Sequence, residues 1–158
     1  MNWQEVIAHP GLQNLPFKIE LNERGQIIMS PVKLRHSAFQ GRFSFLLQTM
    51  RPDGIAVAEC AVWTRKGTKV AAVAWFSDEL WAQVKSETEA SIAPELCIEV
   101  FSKSNTQAEM REKRKLYFEQ GAQEVWLCNE QGRVEFYDAQ GKRKVSRLFP
   151  DFPTQVNI

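Results

Sequence analysis

The stretch PELCIEVFS, residues 94–102, decides the fold that this sequence predicts. Apolar side chains occupy both alternating faces of residues 96–101, and Glu99 is the one charged residue among these six. A strand that is apolar on both faces is typical of the centre of a sheet that is covered on two sides. We therefore predict a central strand over Glu95–Phe101.

A helix is predicted directly after this strand. Ser104 or Thr106 can cap its N terminus, because a side-chain oxygen there accepts a bond from a free N–H of the first turn. Gly121 ends it after Gln120, since glycine readily adopts the left-handed conformation that follows a helix. The strand and the helix together indicate an α/β protein.

The remaining segments predict a central mixed sheet flanked by helices and closed by a C-terminal hairpin. Neither repeats nor linkers interrupt them, so we expect a single domain over residues 1–158. We predict an entry helix from Trp3, a hairpin of residues 17–21 and 26–29, a helix over 36–50, paired strands at 55–62 and 69–76, a short helix after Ser77, a strand over Glu124–Cys128 and a closing hairpin of residues 133–137 and 142–149.

The composition is that of an ordinary folded protein. Hydrophobic residues make up 44% and charged residues 25% of the 158 residues, which excludes disordered and disulfide-scaffold classes. We expect a cytoplasmic protein without membrane contact, because neither a long apolar window nor a secretion signal is present. The three separated cysteines, Cys60, Cys97 and Cys128, are expected to be reduced core thiols.

A local charge bias is the only electrostatic hint of a nucleic-acid partner, because the net charge is only +1. Residues 26–51 carry no acidic side chain and include His36. This segment is a candidate phosphate-facing patch, and a solvated surface with a chance bias is the alternative. Its basic residues are Lys33, Arg35, Arg42 and Arg51.

Two residues could carry chemistry. A carboxylate such as Glu99 in a dry strand costs several kcal/mol unless it is paired or binds a cation. Lys113 shares an inward-facing helix stripe with Met110 and Tyr117. The alternatives are an edge-strand glutamate and an exposed pair of Lys113 with Glu109. A strand carboxylate with a lysine on the next helix suits a Mg²⁺-dependent phosphodiesterase, which also needs a second carboxylate.

The ordered set of motifs resembles the Uma-two family of endonucleases in the PD-(D/E)XK superfamily. It comprises residues 94–102, Ser104-Asn105, Lys113, Tyr117, Gly121 and Val125-Trp126-Leu127, with Glu20, residues 25–31, His36 and Ala58-Glu59-Cys60 upstream. The resemblance implies a restriction-endonuclease-like fold, DNA as substrate, Mg²⁺ or Mn²⁺ as cofactor and frequent homodimers. It also implies that Glu99 binds the metal and Lys113 is the catalytic cation, with Glu20 and His36 as neighbours.

One residue departs from that pattern. The family usually carries an aspartate immediately before Val73, where this chain has Ala72, so the first metal ligand is missing. Loss of a carboxylate ligand should weaken the metal and lower activity by about a hundredfold or more. Ala72 is either an engineered inactivating change or a natural one, in which the protein binds without cutting or Glu20 or Glu59 supplies a relocated carboxylate.

Two functions compete at this point. The first is a metal-dependent DNA endonuclease, inactive or weakened through Ala72, with nucleic-acid contacts from Lys33, Arg35, Arg42 and Arg114. The second is a non-catalytic module that binds nucleic acid or protein on the same fold. A nuclease requires Glu99 and Lys113 to face one cavity with Ala72, whereas a module would tolerate their separation.

Overall fold

The computed structural model describes residues 1–158. A short 3-10 helix at Pro10–Leu12 follows the first of four α-helices. The helices are α1 (Trp3–Ala8), α2 (Leu34–Met50), α3 (Asp78–Val84) and α4 (Gln107–Glu119). The strands are β1 (Phe17–Leu21), β2 (Ile27–Pro31), β3 (Gly54–Val62), β4 (Lys69–Ser77), β5 (Leu96–Val100), β6 (Glu124–Cys128), β7 (Val134–Asp138) and β8 (Gly141–Arg143).

A six-stranded mixed sheet forms the centre of the protein, in the order β3-β4-β5-β6-β7-β8. The pair β5–β6 is parallel and the other neighbours are antiparallel. The predicted central strand is therefore confirmed, because β5 is an inner strand and its first four residues are buried. Helix α4, which follows β5, is capped by Thr106, whose hydroxyl accepts from the Glu109 N–H at 3.1 Å.

Each face of the sheet has its own apolar core. On one face α2 inserts Phe39, Phe43 and Leu47 against the sheet, and the C-terminal segment adds Phe149 and Phe152. On the other face, α3 and α4 cover a core in which Cys97 and Tyr117 are fully buried. This two-sided cover explains why β5 is apolar in both directions.

The predicted C-terminal hairpin is confirmed only for its first strand. Strand β7 forms as expected, but its partner β8 is three residues long rather than the predicted run over 142–149. The buried carboxylate of Glu124 accounts for the difference. It accepts hydrogen bonds from Ser146 Oγ at 2.7 Å and from the Leu148 N–H at 2.8 Å, so the chain turns back toward the core after Arg143.

The β1–β2 hairpin lies outside the main sheet and is joined to the start of β4. The Leu21 N–H donates to the Thr68 carbonyl at 2.8 Å, and Lys69 Nζ donates to the Leu21 carbonyl at 2.8 Å. These bonds fix β1 beside β4. They thereby place the side chain of Glu20, one residue before Leu21, against the sheet.

Side chains of α2 cover part of the exposed edge of the sheet at β3. Gln48 donates to the Gly54 carbonyl and accepts from the Ala56 N–H, at 2.9 and 3.0 Å. Such cover reduces edge-to-edge association. The three cysteines are buried and free, as expected. No helix combines the length and the apolar character that crossing a bilayer requires.

Candidate functional site

Glu99 lies where two strands of the sheet separate. The β4–β5 ladder ends at the pair Val73–Ile98, so the next opposed residues are Ala72 and Glu99. In place of a backbone hydrogen bond between the two strands, the Ala72 N–H donates to Glu99 Oε1 at 3.0 Å. The side chain of Glu99 is only 4% exposed. Glu99 is therefore an inner-strand carboxylate and does not lie at a solvated edge.

Lys113 reaches this carboxylate from α4. Its Nζ donates to Glu99 Oε2 at 2.8 Å, which excludes the alternative of a solvent-exposed pair with Glu109. Glu109 instead accepts a long bond from Asn105 Nδ2 at 3.4 Å. The inward stripe of the helix therefore places the lysine as the sequence predicted.

Glu20 makes the cluster a group of three. Lys113 Nζ lies 3.0 and 2.9 Å from Glu20 Oε1 and Oε2, and the Val70 N–H donates to Oε2 at 2.7 Å. The structure thus brings together Glu20, Glu99 and Lys113 beside Ala72. Of these, Glu20 was expected from the family resemblance alone.

The charges in the cluster balance. Burial lowers the pKa of Lys113, but the facing carboxylates of Glu99 and Glu20 outweigh it and hold that pKa above its ordinary range. Burial likewise raises the pKa of Glu20, and the ammonium groups of Lys113 and Lys18 hold it below its ordinary value. Both groups are therefore charged at neutral pH, as a buried ion pair requires.

Lys18 is a member of the cluster that sequence reasoning missed. Its Nζ lies 3.8 Å from Glu99 Oε1, so two ammonium groups face the two carboxylates. A signal was available, because Lys18 and Glu20 are two residues apart on one strand and must share a face. Lys18 was therefore to be expected near any partner that Glu20 has on that face.

The backbone is irregular opposite Ala72. Glu59 has φ +53, an unusual conformation for a non-glycine residue inside a strand, and the β3–β4 ladder has no pair at this position. Gln40 of α2 fills the gap: its Nε2 donates to Glu59 Oε1 at 3.0 Å and to the Ala72 carbonyl at 3.1 Å. No sequence signal pointed to Gln40 or to the backbone strain at Glu59, although the sequence had named Glu59 as a possible relocated carboxylate.

Lys33, Arg35 and His36 lie at the start of α2, and Arg42 lies near its middle. Lys33 Nζ is 3.4 Å from Ser102 Oγ, just beyond the end of β5. His36 makes no hydrogen bond to the cluster, and its Nε2 is out of solvent without a partner. Arg35 Nε donates to the Glu130 carbonyl at 2.8 Å, whereas Arg42 is exposed and unpaired.

Arg114 lies apart from the α2 residues. Its guanidinium stacks over the ring of Tyr137 at 3.9 Å, on the α4 side of the sheet. Because α2 and α4 cover opposite faces, Arg114 and Arg42 do not form one continuous surface. A nucleic acid would have to pass around the end of the sheet to contact both.

The residues present do not suit a resident divalent cation. The structure contains no group of three or more histidine, cysteine or acidic side chains that could hold a metal. All four oxygens of Glu20 and Glu99 already accept from Lys113 or from a backbone N–H. Ala72 contributes no oxygen from its side chain, so this end of the cluster lacks a ligand.

The fold and this buried cluster define a restriction-endonuclease-like α/β protein. The chain belongs to the Uma2 family, described as "Putative restriction endonuclease", whose sequence profile matches residues 3–156. It is also similar to a crystal structure of a "putative nuclease belonging to DUF820" from Anabaena variabilis ATCC 29413. The TM-score is 0.64 with 23% identity, over 79% of this chain and 74% of that chain, and this likeness establishes the fold. No functionally curated protein matches the chain.

Proposed function

We propose that this protein belongs functionally to the nucleases and binds DNA. We propose further that its phosphodiester-cleaving site is inactive because Ala72 replaces the aspartate that would bind the metal. One observation carries the proposal. Lys113 Nζ lies within 3.0 Å of the buried carboxylates of Glu99, which the family resemblance expects to bind the metal, and of Glu20, which it expects as a neighbour. A lysine held this way acts as the counter-ion of the cluster.

Charge balance supports loss of the metal. A dication placed among two carboxylates and the ammonium groups of Lys113 and Lys18 would meet no net negative charge. Magnesium is usually bound through one or two carboxylates that are free to coordinate it, together with water and phosphate oxygens. Here both carboxylates would first have to release the lysine, so we expect Mg²⁺ and Mn²⁺ to bind weakly.

Restoring an aspartate at position 72 changes that balance. The Ala72 N–H already bonds Glu99, so a longer acidic side chain at residue 72 would begin next to that carboxylate. We propose that the Ala72→Asp variant gains a divalent-metal site in which Glu99 is a ligand. Lys113 would then be free to offset charge on a phosphate, as the family resemblance implies.

DNA is the partner that the family and the local charge favour. Lys33 and Arg35 lie at the start of α2 and Arg42 lies near its middle, and Lys33 is beside the end of β5. We propose that they contact phosphates, with Arg114 as a separate contact on the α4 side. A few phosphate contacts predict an affinity loss of about ten- to a thousandfold between about 50 and 200 mM salt.

A nuclease and binding assay on matched variants tests this proposal. Plasmid and oligonucleotide DNA are incubated with Mg²⁺ or Mn²⁺ and this chain, Ala72→Asp, or Ala72→Asp combined with Glu99→Gln. We expect cleavage by Ala72→Asp alone and salt-dependent binding by all three. If this chain cleaves as fast as Ala72→Asp, or if none of the three binds DNA at low salt, the proposal is wrong.

A second candidate is a nuclease in which Glu59 replaces the missing aspartate. It is favoured by Gln40, which links the Glu59 carboxylate to the Ala72 carbonyl. Residual metal-dependent cleavage by this chain that Glu59→Gln abolishes would support it. Cleavage that Glu59→Gln leaves unchanged would exclude it.

We also propose a homodimer and a cytoplasmic location. The dimer follows from the family resemblance and from exposed apolar side chains near the hairpin and α2, including Val32, Leu34 and Phe45. The location follows from three free thiols, which are typical of a reducing compartment. Sedimentation equilibrium tests the dimer, and a monomer at all concentrations up to about 100 μM, a hundredfold above a micromolar Kd, would exclude it.

A further inference from the structure

Three nitrogen-bearing side chains lie near the end of β5: Lys18 is beside Glu99, Lys33 is beside Ser102, and His36 is one helical turn after Lys33 on α2. Lys18 Nζ lies 3.8 Å from Glu99 Oε1, and Lys33 Nζ has only the hydroxyl of Ser102 as a polar neighbour, at 3.4 Å. His36 Nε2 is shielded from solvent and has no hydrogen-bond partner. Buried polar atoms in folded proteins are nearly always paired, so an unpaired one indicates a missing ligand or water.

The charges that act on His36 favour an anion as its partner. Burial lowers the pKa of His36, and the ammonium groups of Lys33 and Lys18 lower it further. Glu130 is the one carboxylate that opposes them, and its Oε1 already accepts from the Lys103 N–H at 3.2 Å. Two cations thus act on the imidazole against one carboxylate, and Lys33 has no ion-pair partner of its own, so an anion between them would be stabilised.

We propose that Lys18, Lys33 and His36 form a docking place for a phosphate oxyanion next to Glu99. This inference rests on the proposed function in so far as the anion is a phosphodiester of DNA. A free phosphate has the same oxygen chemistry and is the other possible source. Ammonium and imidazole N–H groups both donate to phosphate oxygens, and such charge-assisted bonds are among the stronger hydrogen bonds in proteins.

The nearby arginines are less suited to hold the same anion. The Nε of Arg35 is bonded to the Glu130 carbonyl, and its guanidinium lies 5.7 Å from the centre of the Phe39 ring. Arg42 is two helical turns further along α2 and is exposed. We assign these two residues to neighbouring phosphates of a longer nucleic acid. The docking place itself consists of Lys18, Lys33 and His36.

The two histidines allow a direct test by NMR. The chain contains only His9 and His36, and His9 Nδ1 accepts from the Gly11 N–H in an exposed turn, so His9 is an internal control. The imidazole signals are assigned with His9→Gln and titrated with pH in the presence of inorganic phosphate or a thymidine dinucleotide with one phosphodiester. We expect the pKa of His36 to rise with bound anion, whereas the His9 signals should not respond to the anion.

Matched lysine variants provide a second readout. Lys33→Gln should weaken dinucleotide binding about two- to fivefold, because it removes one partly exposed cation. Lys144→Gln has the same charge change at an exposed residue without polar contacts and should leave the affinity unchanged. A response to the dinucleotide but not to phosphate identifies the diester as the ligand, and the reverse identifies free phosphate.

The outcomes separate this inference from the proposed function. If neither anion moves the His36 signal and Lys33→Gln binds as well as Lys144→Gln, the docking place is wrong, even where the protein binds DNA. If inorganic phosphate moves His36 but duplex DNA does not bind at low salt, the docking place stands and the DNA-binding function fails.

Discussion

The ammonium nitrogen of Lys113 lies 2.8 Å from Glu99 Oε2, across the gap between α4 and the end of β5. The same nitrogen also bonds both carboxylate oxygens of Glu20. Lys113 thus bonds directly to two buried carboxylates that would each cost several kcal/mol without a cation, and Lys18 adds a longer ion pair to Glu99. The stability of the fold and the chemistry proposed for the site therefore depend on the same side chains.

Removal of Lys113 should be strongly destabilising. We expect Lys113→Met to lower the free energy of unfolding by about 3–5 kcal/mol, because it leaves two buried carboxylates with only the more distant Lys18 to compensate them. Lys115→Met, at an exposed position on the same helix, should change it by less than about 0.5 kcal/mol. Urea unfolding measures both. Equal effects of the two variants would contradict the described ion cluster.

The cluster should make stability sensitive to acid. The pKa of Glu20 is held below its ordinary value of 4.5, so its contribution is present above pH 4.5 and is lost as the pH falls through the lower, folded-state value. The difference in unfolding free energy between this chain and Glu20→Gln should therefore be largest at neutral pH and shrink in acid. A difference that grows below pH 4.5 would contradict this account.

The buried hydroxyl of Tyr117 should be dispensable. It has no hydrogen-bond partner and the side chain is fully buried; burial, with the carboxylates of Glu99 and Glu20, raises its pKa well above the ordinary value. Tyr117→Phe removes an unsatisfied polar atom and should stabilise the protein by about 1 kcal/mol. Thermal unfolding checks this. A loss of stability would show that the hydroxyl has a partner, such as a buried water.

Replacing the strained residue Glu59, opposite Ala72, with glycine should change the stability of the protein. Glu59 adopts φ +53, which costs a non-glycine residue about 1–2 kcal/mol. Glu59→Gly should therefore stabilise the protein by up to about 1 kcal/mol, whereas Ala58→Gly, in the regular part of the same strand, should destabilise it by about 0.5–1 kcal/mol. If both variants are equally destabilised in urea, the strain is absent.

Local periodicity was sufficient to predict much of the sheet and half of the site. The two-sided apolar pattern placed β5 inside the sheet, and the stripe containing Lys113 placed that side chain toward it. Each of these inferences uses only residues within a single strand or helix. Glu20 is 93 residues from Lys113, so only the family resemblance suggested that the two meet.

The features that were missed depend on long-range side-chain contacts. The last strand is shorter than predicted because Glu124 accepts hydrogen bonds from Ser146 and Leu148. The sequence showed a glutamate at the start of an apolar strand, but it did not show which residues would bond to it. The bridge from Gln40 to Ala72 and the left-handed Glu59 carry no local signature, because they arise only once α2 packs over the sheet.

Calorimetry with Mn²⁺ on this chain and on Ala72→Asp tests the central claim most directly, with Ala72→Asp/Glu99→Gln as the matched control. If Ala72 weakens a metal site by removing one ligand, Ala72→Asp will bind Mn²⁺ at least about tenfold more tightly than this chain. Adding Glu99→Gln will then abolish the gain in affinity. Equal affinity of this chain and Ala72→Asp, or a gain that survives Glu99→Gln, would contradict the account.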